Sequence, residues 1–216
     1  MTAIKVCGIT RTEDMLMCSR LGVDAVGINF WPGSRRYVTP EKAADILQHR
    51  GGRMKIFGVF VNAPLAEIVT YTRMLSLDFI QLHGDEREEN IRQLRDRLPR
   101  AQKVGIIKAI RVRNIFPEKE IAAFSSISDG LLFDSGATGA YGGSGVEFDY
   151  GALEGVGLKL PMVLLSGGLN AGNVERAVRL VKPHMVDVCS GVETAPGVKD
   201  EKKLEFFVEA LRRASE

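Results

Sequence analysis

The chain has 216 residues, of which 45% are hydrophobic and 26% are charged, a composition typical of folded globular proteins. Its net charge of +2 excludes the strongly basic surface on which nucleic-acid binders depend. No run approaches the roughly 18 apolar residues of a membrane span, and early charges from Lys5 onward interrupt any secretory signal, so neither membrane nor nucleic acid is an expected partner.

Eight short runs rich in β-branched residues recur along the chain, each followed by a polar turn and most by an amphipathic segment. They span residues 4–7, 25–30, 55–61, 79–83, 105–110, 131–134, 162–166 and 186–189. Eight units in 216 residues give 27 residues per unit, close to the ~30 residues of one strand–helix–strand passage. This pattern predicts one domain over 1–216, an α/β (β/α)8 TIM barrel, with an open doubly wound sheet as the alternative.

Helix start and stop signals lie between these runs. Thr10 and Glu13 have the spacing of a capping box, and the first helix should end near Gly22. Thr39 precedes Pro40 as an N-cap before a proline at the first helical position. Further helices are predicted after 62–64 and over 85–98, 116–124 and 173–181, whereas the glycine-rich stretch 135–145 should not be helical.

Two candidates for acid–base chemistry lie at the carboxyl ends of predicted strands. Cys7 ends the first run and precedes the first helix, whose N-terminus should lower the pKa of a thiol; the alternative is an inert buried thiol. Asp134 ends the sixth run after three apolar residues, which should raise the pKa of its carboxyl group; the alternative is a carboxylate that caps the next turn.

Small residues follow the last two predicted strands, where barrels of this kind commonly bind phosphate. Gly167 and Gly168 follow the seventh run, and Ser190 and Gly191 follow the eighth. Their backbone amides could approach an anion closely, although glycines after strands are also common in plain turns. A phosphorylated small-molecule substrate is therefore expected.

Further polar residues could contact such a substrate. Arg35 or Arg36, in the loop after the second run, could bind a carboxylate through two hydrogen bonds, or could simply be solvated. Gln81 and His83 share one face of the fourth strand, and Asp187 could point inward from the eighth; each could instead be structural.

Several cofactor signatures are missing from the sequence. It contains neither a Walker loop nor a dinucleotide fingerprint, and no His, Cys, Asp or Glu cluster has metal-ligand spacing, so chemistry without cofactor or metal is expected. The three cysteines show neither a CxxC pair nor a disulfide framework, which favours a reducing cytoplasm.

Longer motifs resemble one family across the whole chain. They are KVCGIT at 5–10, SRRYVTP at 34–40, QLHGDE at 81–86, LLFDSGATGAYGGSGVEFDY at 131–150, LSGGLNAGNV at 165–174 and VDVCSGVETAPGVKD at 186–200. Together they are similar to the phosphoribosylanthranilate isomerases of tryptophan biosynthesis. Slight departures are Trp31, Gly33 and Cys189, where tyrosine, lysine and serine are more familiar.

The resemblance implies a (β/α)8 barrel that converts N-(5'-phosphoribosyl)anthranilate into 1-(2-carboxyphenylamino)-1-deoxyribulose 5-phosphate by an Amadori rearrangement. It implies that Asp134 is the general acid, that Cys7 is the general base and that Arg36 binds the anthranilate carboxylate. Monomer and homodimer are both compatible with the sequence.

Two other readings remain open from the sequence. A relative in histidine biosynthesis performs the same rearrangement on an aminoimidazole carboxamide ribonucleotide. A pair of aspartates is typical of that family, whereas here the first strand ends in Cys7. A non-catalytic phosphate-binding barrel is the second, and the presence of both Cys7 and Asp134 argues against it.

Overall fold

Eight parallel strands close into one barrel in the computed structural model, which describes residues 1–99, 103–112, 116–135 and 150–214. The strands pair in chain order, and the first also pairs with the eighth, where Ile4 lies opposite Val186. Their bounds are β1 (Ala3–Cys7), β2 (Ala25–Asn29), β3 (Lys55–Phe60), β4 (Phe79–Leu82), β5 (Gly105–Arg111), β6 (Gly130–Asp134), β7 (Val163–Leu165) and β8 (Met185–Val188). The predicted barrel is confirmed, and the open doubly wound sheet is wrong.

Helices follow the strands on the outside of the barrel. They are α1 (Thr12–Arg20), α2 (Pro40–Leu47), α3 (Leu65–Leu75), α4 (Glu88–Arg97), α5 (Glu118–Phe124), α6 (Val174–Val181) and α7 (Glu201–Ala214). Short 3-10 helices at Tyr150–Leu153 and Val156–Leu158 precede β7. The glycine-rich stretch that should not be helical lies, beyond Ser135, outside the described residues. None of the described helices combines the length and apolar character needed to cross a membrane.

Two helix starts show how local signals succeeded and failed. The Thr39 hydroxyl accepts a hydrogen bond from the Lys42 amide at 3.3 Å, as an N-cap should. The capping box at Thr10 is wrong, because α1 begins at Thr12 without a side-chain cap. The Thr10 hydroxyl instead donates to the Gly197 carbonyl at 2.6 Å and so ties α1 to a distant loop.

The barrel interior has an apolar layer and, toward the carboxyl ends of the strands, a polar layer. The apolar layer contains Ala25, Phe57, Ile107, Ala109, Leu132, Leu164 and Met185. Strand side chains alternate between faces, so the residue two positions beyond an inward one also points inward. Asp134 follows Leu132 in this way, and Asp187 follows Met185. The strand period therefore places candidate site residues directly above the packed interior.

An antiparallel hairpin that the sequence analysis did not predict follows the eighth strand. It consists of β9 (Glu193–Ala195) and β10 (Val198–Lys199), with Gly197 in the connecting turn at a φ of +83°. The preceding Ser190–Val192 segment is a short 3-10 helix. The hairpin returns the chain to the carboxyl end of β1, because the Lys199 Nζ donates to the Cys7 carbonyl at 2.5 Å.

Candidate active site

A continuous hydrogen-bond network crosses the polar layer of the barrel. The Lys5 Nζ lies 2.8 Å from an Asp187 carboxylate oxygen and 2.9 Å from the Gln81 Oε1. The Gln81 Nε2 lies 2.9 Å from the His83 Nδ1, and the His83 Nε2 lies 3.1 Å from the Asp134 Oδ2. The network therefore joins β1, β8, β4 and β6 and brings together four residues that the sequence singled out.

The direction of each hydrogen bond in this network follows from the Lys5 ammonium. Lys5 can only donate, so the Gln81 Oε1 accepts and its amide nitrogen donates to His83 Nδ1. The remaining ring nitrogen, Nε2, then carries the hydrogen that His83 donates to Asp134. Gln81 thus selects the histidine tautomer that stabilises an anionic Asp134.

Asp134 is buried and accepts hydrogen bonds at both carboxylate oxygens, since the Ser135 amide donates to Oδ1 at 2.8 Å. Burial by itself raises the pKa of the Asp134 carboxyl, but the bonds from His83 and Ser135, with the charge of Lys5, bring it below its ordinary value. The raised pKa predicted from the apolar neighbours is therefore wrong, because those neighbours do not include the polar groups that other strands supply.

Cys7 ends β1 on the same inward face as Lys5. A Cβ atom added to Gly27 would lie 2.7 Å from the Cys7 sulfur and 3.3 Å from the Lys5 Cε, so glycine in β2 leaves room for both side chains. Burial raises the pKa of the Cys7 thiol to about 12, and the Lys5 ammonium offsets this only in part. The lowered pKa predicted from the helix N-terminus is wrong, because α1 starts five residues later, at Thr12.

The structure distinguishes the two arginines of the loop after β2. Arg35 is exposed, whereas Arg36 is 8% exposed and donates to Glu193 from Nε at 2.9 Å and from its Nη2 at 2.6 Å. The Arg36 stem passes over Gly8, where an added Cβ atom would lie 2.5 Å from the Arg36 Cδ. Gly8 has a φ of +74°, which only glycine adopts readily. Arg36 is therefore held beside the residue that follows Cys7.

Arg36, Glu193 and Lys199 form an ion-pair cluster. The sequence analysis assigned no role to Glu193 or Lys199. The Lys199 Nζ donates to the Glu193 Oε1 at 2.8 Å, and both side chains are almost fully buried. The Pro196-Gly197 dipeptide is a turn signal between extended residues, and it could have predicted the hairpin that carries them. Their pairing with Arg36 depends on a contact between segments far apart in sequence, which no local signal shows.

Asp187 presents an oxygen to the same interior space. Its Oδ2 binds Lys5, but its Oδ1 is buried and has no hydrogen-bond partner among the residues that the structure describes. A buried carboxylate oxygen without a donor is unfavourable, and a bound hydroxyl or amine group would satisfy it.

The four candidate phosphate-binding residues lie on two loops that touch. Gly167 and Gly168 have φ values of +91° and +68°, and within the described parts of the chain neither amide donates to an acceptor. A Cβ atom added to Gly191 would lie 1.9 Å from the Leu169 carbonyl, so the loop that contains Ser190 and Gly191 packs directly on the β7 loop. These loops form one backbone surface suited to an anion.

The described residues, 1–99, 103–112, 116–135 and 150–214, contain no group of three or more His, Cys, Asp or Glu side chains that could hold a metal ion. The arrangement instead offers an inward thiol and carboxyl, an arginine near the thiol and a backbone surface for an anion. Such groups can exchange protons with a substrate that carries a carboxylate and a phosphate.

Comparisons with known proteins agree with this combination of groups. A family model described as "PRAI: N-(5'phosphoribosyl)anthranilate (PRA) isomerase" matches residues 4–210. The N-(5'-phosphoribosyl)anthranilate isomerase of Magnetococcus marinus is 43% identical over 213 residues, which cover 99% of this chain and 96% of the relative.

Two solved structures are similar over nearly the whole chain. One is a phosphoribosyl anthranilate isomerase in complex with reduced 1-(o-carboxyphenylamino)-1-deoxyribulose 5-phosphate, with a TM-score of 0.84 and 33% identity. The other describes mutually generated monomers of the dimeric enzyme of Thermotoga maritima, with a TM-score of 0.81 and 32% identity. Each match covers 99% of this chain and 100% of the other chain.

Proposed function

The chain belongs to the N-(5'-phosphoribosyl)anthranilate isomerase family, and we propose that Cys7 and Asp134 are the base and the acid of its reaction. The enzyme catalyses the Amadori rearrangement of N-(5'-phosphoribosyl)anthranilate to 1-(2-carboxyphenylamino)-1-deoxyribulose 5-phosphate in tryptophan biosynthesis. The observation that carries the assignment of residues is the polar layer, in which both side chains point inward at the carboxyl ends of their strands.

Each chemical step matches one of these two groups. Asp134 gives its proton to the ribose ring oxygen as the C1'–O bond breaks, and the nitrogen lone pair forms an iminium. Cys7 then takes the C2' proton, and the released electron pair moves through C1' to the nitrogen, giving an enaminol. The enaminol gains a proton at C1' from the Cys7 thiol and loses its C2' hydroxyl proton to the Asp134 carboxylate, which gives the ketone and returns both groups to their starting forms. The iminium itself is the electron sink.

The number of protons that Cys7 and Asp134 hold together explains how a thiol and a carboxylate can perform this reaction. In the resting pair Cys7 is a thiol and Asp134 a carboxylate, while the reactive pair is a thiolate and a carboxylic acid. The two forms hold the same number of protons, so their ratio does not change with pH. A minor reactive form is therefore available at every pH at which the pair holds one proton.

The remaining site residues are assigned by what their free atoms can bind. Arg36 binds the anthranilate carboxylate, and the Asp187 Oδ1 accepts a hydrogen bond from a ribosyl hydroxyl. Backbone amides of Gly167, Gly168, Ser190 and Gly191 bind the phosphate. Direct substrate contact by Gln81 and His83 stays a prediction; their hydrogen bonds to each other and to Asp134 support a role in holding Asp134.

The experiment that tests the acid–base assignment compares Cys7→Ser and Asp134→Asn with the wild-type enzyme, by following the loss of anthranilate fluorescence. Each variant should lose on the order of 10²-fold or more in kcat, because proton transfer in the transition state contributes about that much. The exposed Asp96→Asn is the matched control and should keep wild-type turnover. Near-full kcat in both variants would refute the assignment.

The same assay separates the alternatives that the sequence left open. The aminoimidazole carboxamide ribonucleotide of the histidine pathway is offered in parallel, and we expect no comparable turnover of it. A barrel that only binds phosphate would turn over neither compound.

Assembly and location are proposed more coarsely. We propose a monomer or a homodimer, since a dimeric relative and its monomeric form are both known among similar structures. Light scattering over a range of protein concentrations would distinguish the two. The biosynthetic role and the unpaired cysteines support a cytoplasmic location, which cell fractionation would test.

A further inference from the structure

Lys199 lies where the carboxylate-binding arginine and the base come together. Its ammonium donates to the Glu193 Oε1 at 2.8 Å and to the Cys7 carbonyl at 2.5 Å, and its side chain is fully buried. Burial alone would lower the pKa of this ammonium, but the Cys189 sulfur and the Glu193 carboxylate raise it above its ordinary value. Lys199 is therefore a buried cation, and Glu193 connects it to Arg36 because it accepts hydrogen bonds from both.

The charge of this cluster depends on Lys199. Arg36 already has an anionic partner, because Glu193 accepts hydrogen bonds from two of its nitrogens. Arg36 and Glu193 alone would sum to zero, and a second carboxylate would meet a neutral pair. With Lys199, two cations share one carboxylate, and the cluster holds a net charge of +1 that a substrate carboxylate can neutralise.

We propose that Lys199 is a positioning residue for the substrate carboxylate, which acts through Glu193 to leave the Arg36 guanidinium with an uncompensated positive charge. The hydrogen bonds to Glu193 orient the guanidinium of Arg36, and the Lys199 ammonium neutralises part of the negative charge of the same carboxylate. This inference rests on the proposed function of Arg36 and extends it to two residues of the hairpin.

The hairpin has attachments that do not depend on the Lys199 ammonium. The Thr10 hydroxyl donates to the Gly197 carbonyl at 2.6 Å, the Lys203 Nζ donates to the Glu193 carbonyl at 2.7 Å, and the Asp200 amide donates to the Val192 carbonyl at 2.9 Å. Methionine matches the length of the lysine stem. Lys199→Met should therefore remove the charge and leave the hairpin in place, which thermal unfolding would verify.

The test measures how much the substrate carboxylate contributes to binding. Calorimetry gives Kd for the reduced product and for its phenylamino counterpart, which lacks only the carboxyl group. The ratio is the Kd of the phenylamino counterpart divided by the Kd of the reduced product. It should fall on the order of 10-fold in Lys199→Met, because the cluster that binds the carboxylate loses its excess positive charge. Lys199→Arg should keep the ratio within about 3-fold, and so should the exposed Lys202→Met control.

The double variant Glu193→Gln, Lys199→Met separates charge from shape. It restores the net charge of +1, and glutamine keeps one oxygen that accepts from Arg36. The ratio should return to within about 3-fold of the wild-type value. A merely structural role for Lys199 predicts no such return, since the double variant lacks the same ammonium.

Two results would overturn the proposal. One is an unchanged ratio in Lys199→Met, and the other is a ratio in the double variant that stays as low as in Lys199→Met. Failure of the proposed function would look different, because the wild-type enzyme would then neither turn over phosphoribosylanthranilate nor prefer the ligand that bears the carboxylate.

Discussion

At the scale of single residues, the pKa of Cys7 lies above that of Asp134, which is the opposite of the order that the proposed acid–base roles need. The sequence predicted that their pKa values converge, whereas burial raises the thiol value and the histidine-centred hydrogen bonds lower the carboxyl value. Because the resting and reactive forms have equal proton content, the wide separation broadens the active pH range and reduces the reactive fraction within it.

This separation predicts a broad pH profile. Activity should fall on the acidic side only when Asp134 also takes a proton, and on the alkaline side only when Cys7, with a pKa of about 12, loses its proton. We expect kcat/KM to be flat from about pH 7 to about pH 10, a range in which the substrate phosphate stays dianionic. An alkaline limb at the ordinary thiol value, absent in Cys7→Ser, would show that burial does not control this thiol.

Gly8 gives a second prediction, concerned with the position of Arg36. In Gly8→Ala the new Cβ atom would meet the Arg36 Cδ at 2.5 Å, so the guanidinium must move. We expect KM to rise on the order of 10-fold, together with about 1–2 kcal/mol of strain from the left-handed backbone.

Gly22→Ala is a matched control for Gly8→Ala. Gly22 has a φ of +72°, close to that of Gly8, but an added Cβ atom there would have nothing within 4 Å. The control should show the same loss in urea unfolding with an unchanged KM. Equal KM values in the two variants would mean that Arg36 does not depend on the space above Gly8.

The residue scale also shows what sequence reasoning could reach. Strand parity correctly placed Gln81 and His83 on one face, since it depends only on the period of a strand. The choice between Arg35 and Arg36 needed the structure, because adjacent loop residues have no fixed period. The pKa direction failed for Asp134 because the His83 hydrogen bond comes from another strand, and it failed for Cys7 because burial outweighs a helix N-terminus that begins only at Thr12.

At the scale of elements, the sequence located all eight barrel strands to within a residue or so at each end, yet it missed the β9–β10 hairpin. The barrel strands are apolar runs bounded by polar turns, whereas β9 and β10 contain only three and two residues, several of them charged or polar. The hairpin is stabilised by contacts with distant parts of the chain, which a periodic pattern does not record.

Thr10 provides the prediction at this scale. Thr10→Val removes the hydroxyl that donates to the Gly197 carbonyl, and we expect about 1 kcal/mol lower stability. Hydrogen exchange should become faster at residues 193–199, while the first turn of α1 stays protected. Thr39→Val is the control, and its faster exchange should be confined to the start of α2, where Thr39 is a true N-cap. Faster exchange at the start of α1 in Thr10→Val would instead support the capping box.

At the scale of the whole molecule, alternation of strands and helices predicted the barrel, but it could not exclude an open sheet. What excludes it is the pairing of β1 with β8, a contact between segments at the two extremes of the strand order. The Lys5–Asp187 ion pair spans the same seam at 2.8 Å. The closed barrel also implies that its interior and the site above it unfold together.

The Lys5–Asp187 pair gives a prediction about global stability. Lys5→Met leaves a buried carboxylate without its cation, which should lower the free energy of unfolding by about 3–5 kcal/mol at neutral pH. The folded-state pKa of Asp187 is already raised by burial, and loss of Lys5 raises it further. A carboxyl group with a raised folded-state pKa stabilises the folded protein fully below its unfolded-state pKa, and this stabilisation is lost as pH rises towards the folded-state pKa. The loss of unfolding free energy in Lys5→Met should therefore grow with pH.

Urea unfolding of Lys5→Met at mildly acidic and at neutral pH would measure this trend. The double variant Lys5→Met, Asp187→Asn removes the buried charge as well, and it should recover part of the stability and lose most of the pH dependence. A deficit in Lys5→Met that is independent of pH would show that packing, rather than the unpaired carboxylate, accounts for the loss.

The closure of the barrel between β1 and β8 also sets the timing of its assembly during protein synthesis. Lys199 lies 192 residues after Cys7, whose carbonyl it binds, and ribosomes add about 5–20 residues per second, so roughly 10–40 s separate the synthesis of the two. Until residues 185–188 are synthesised, β1 keeps an unpaired edge, and its thiol lacks some of the neighbours that bury it. A ribosome-bound chain that stalls before β8 would therefore expose both a reactive cysteine and a free strand edge to chaperones and to other nascent chains.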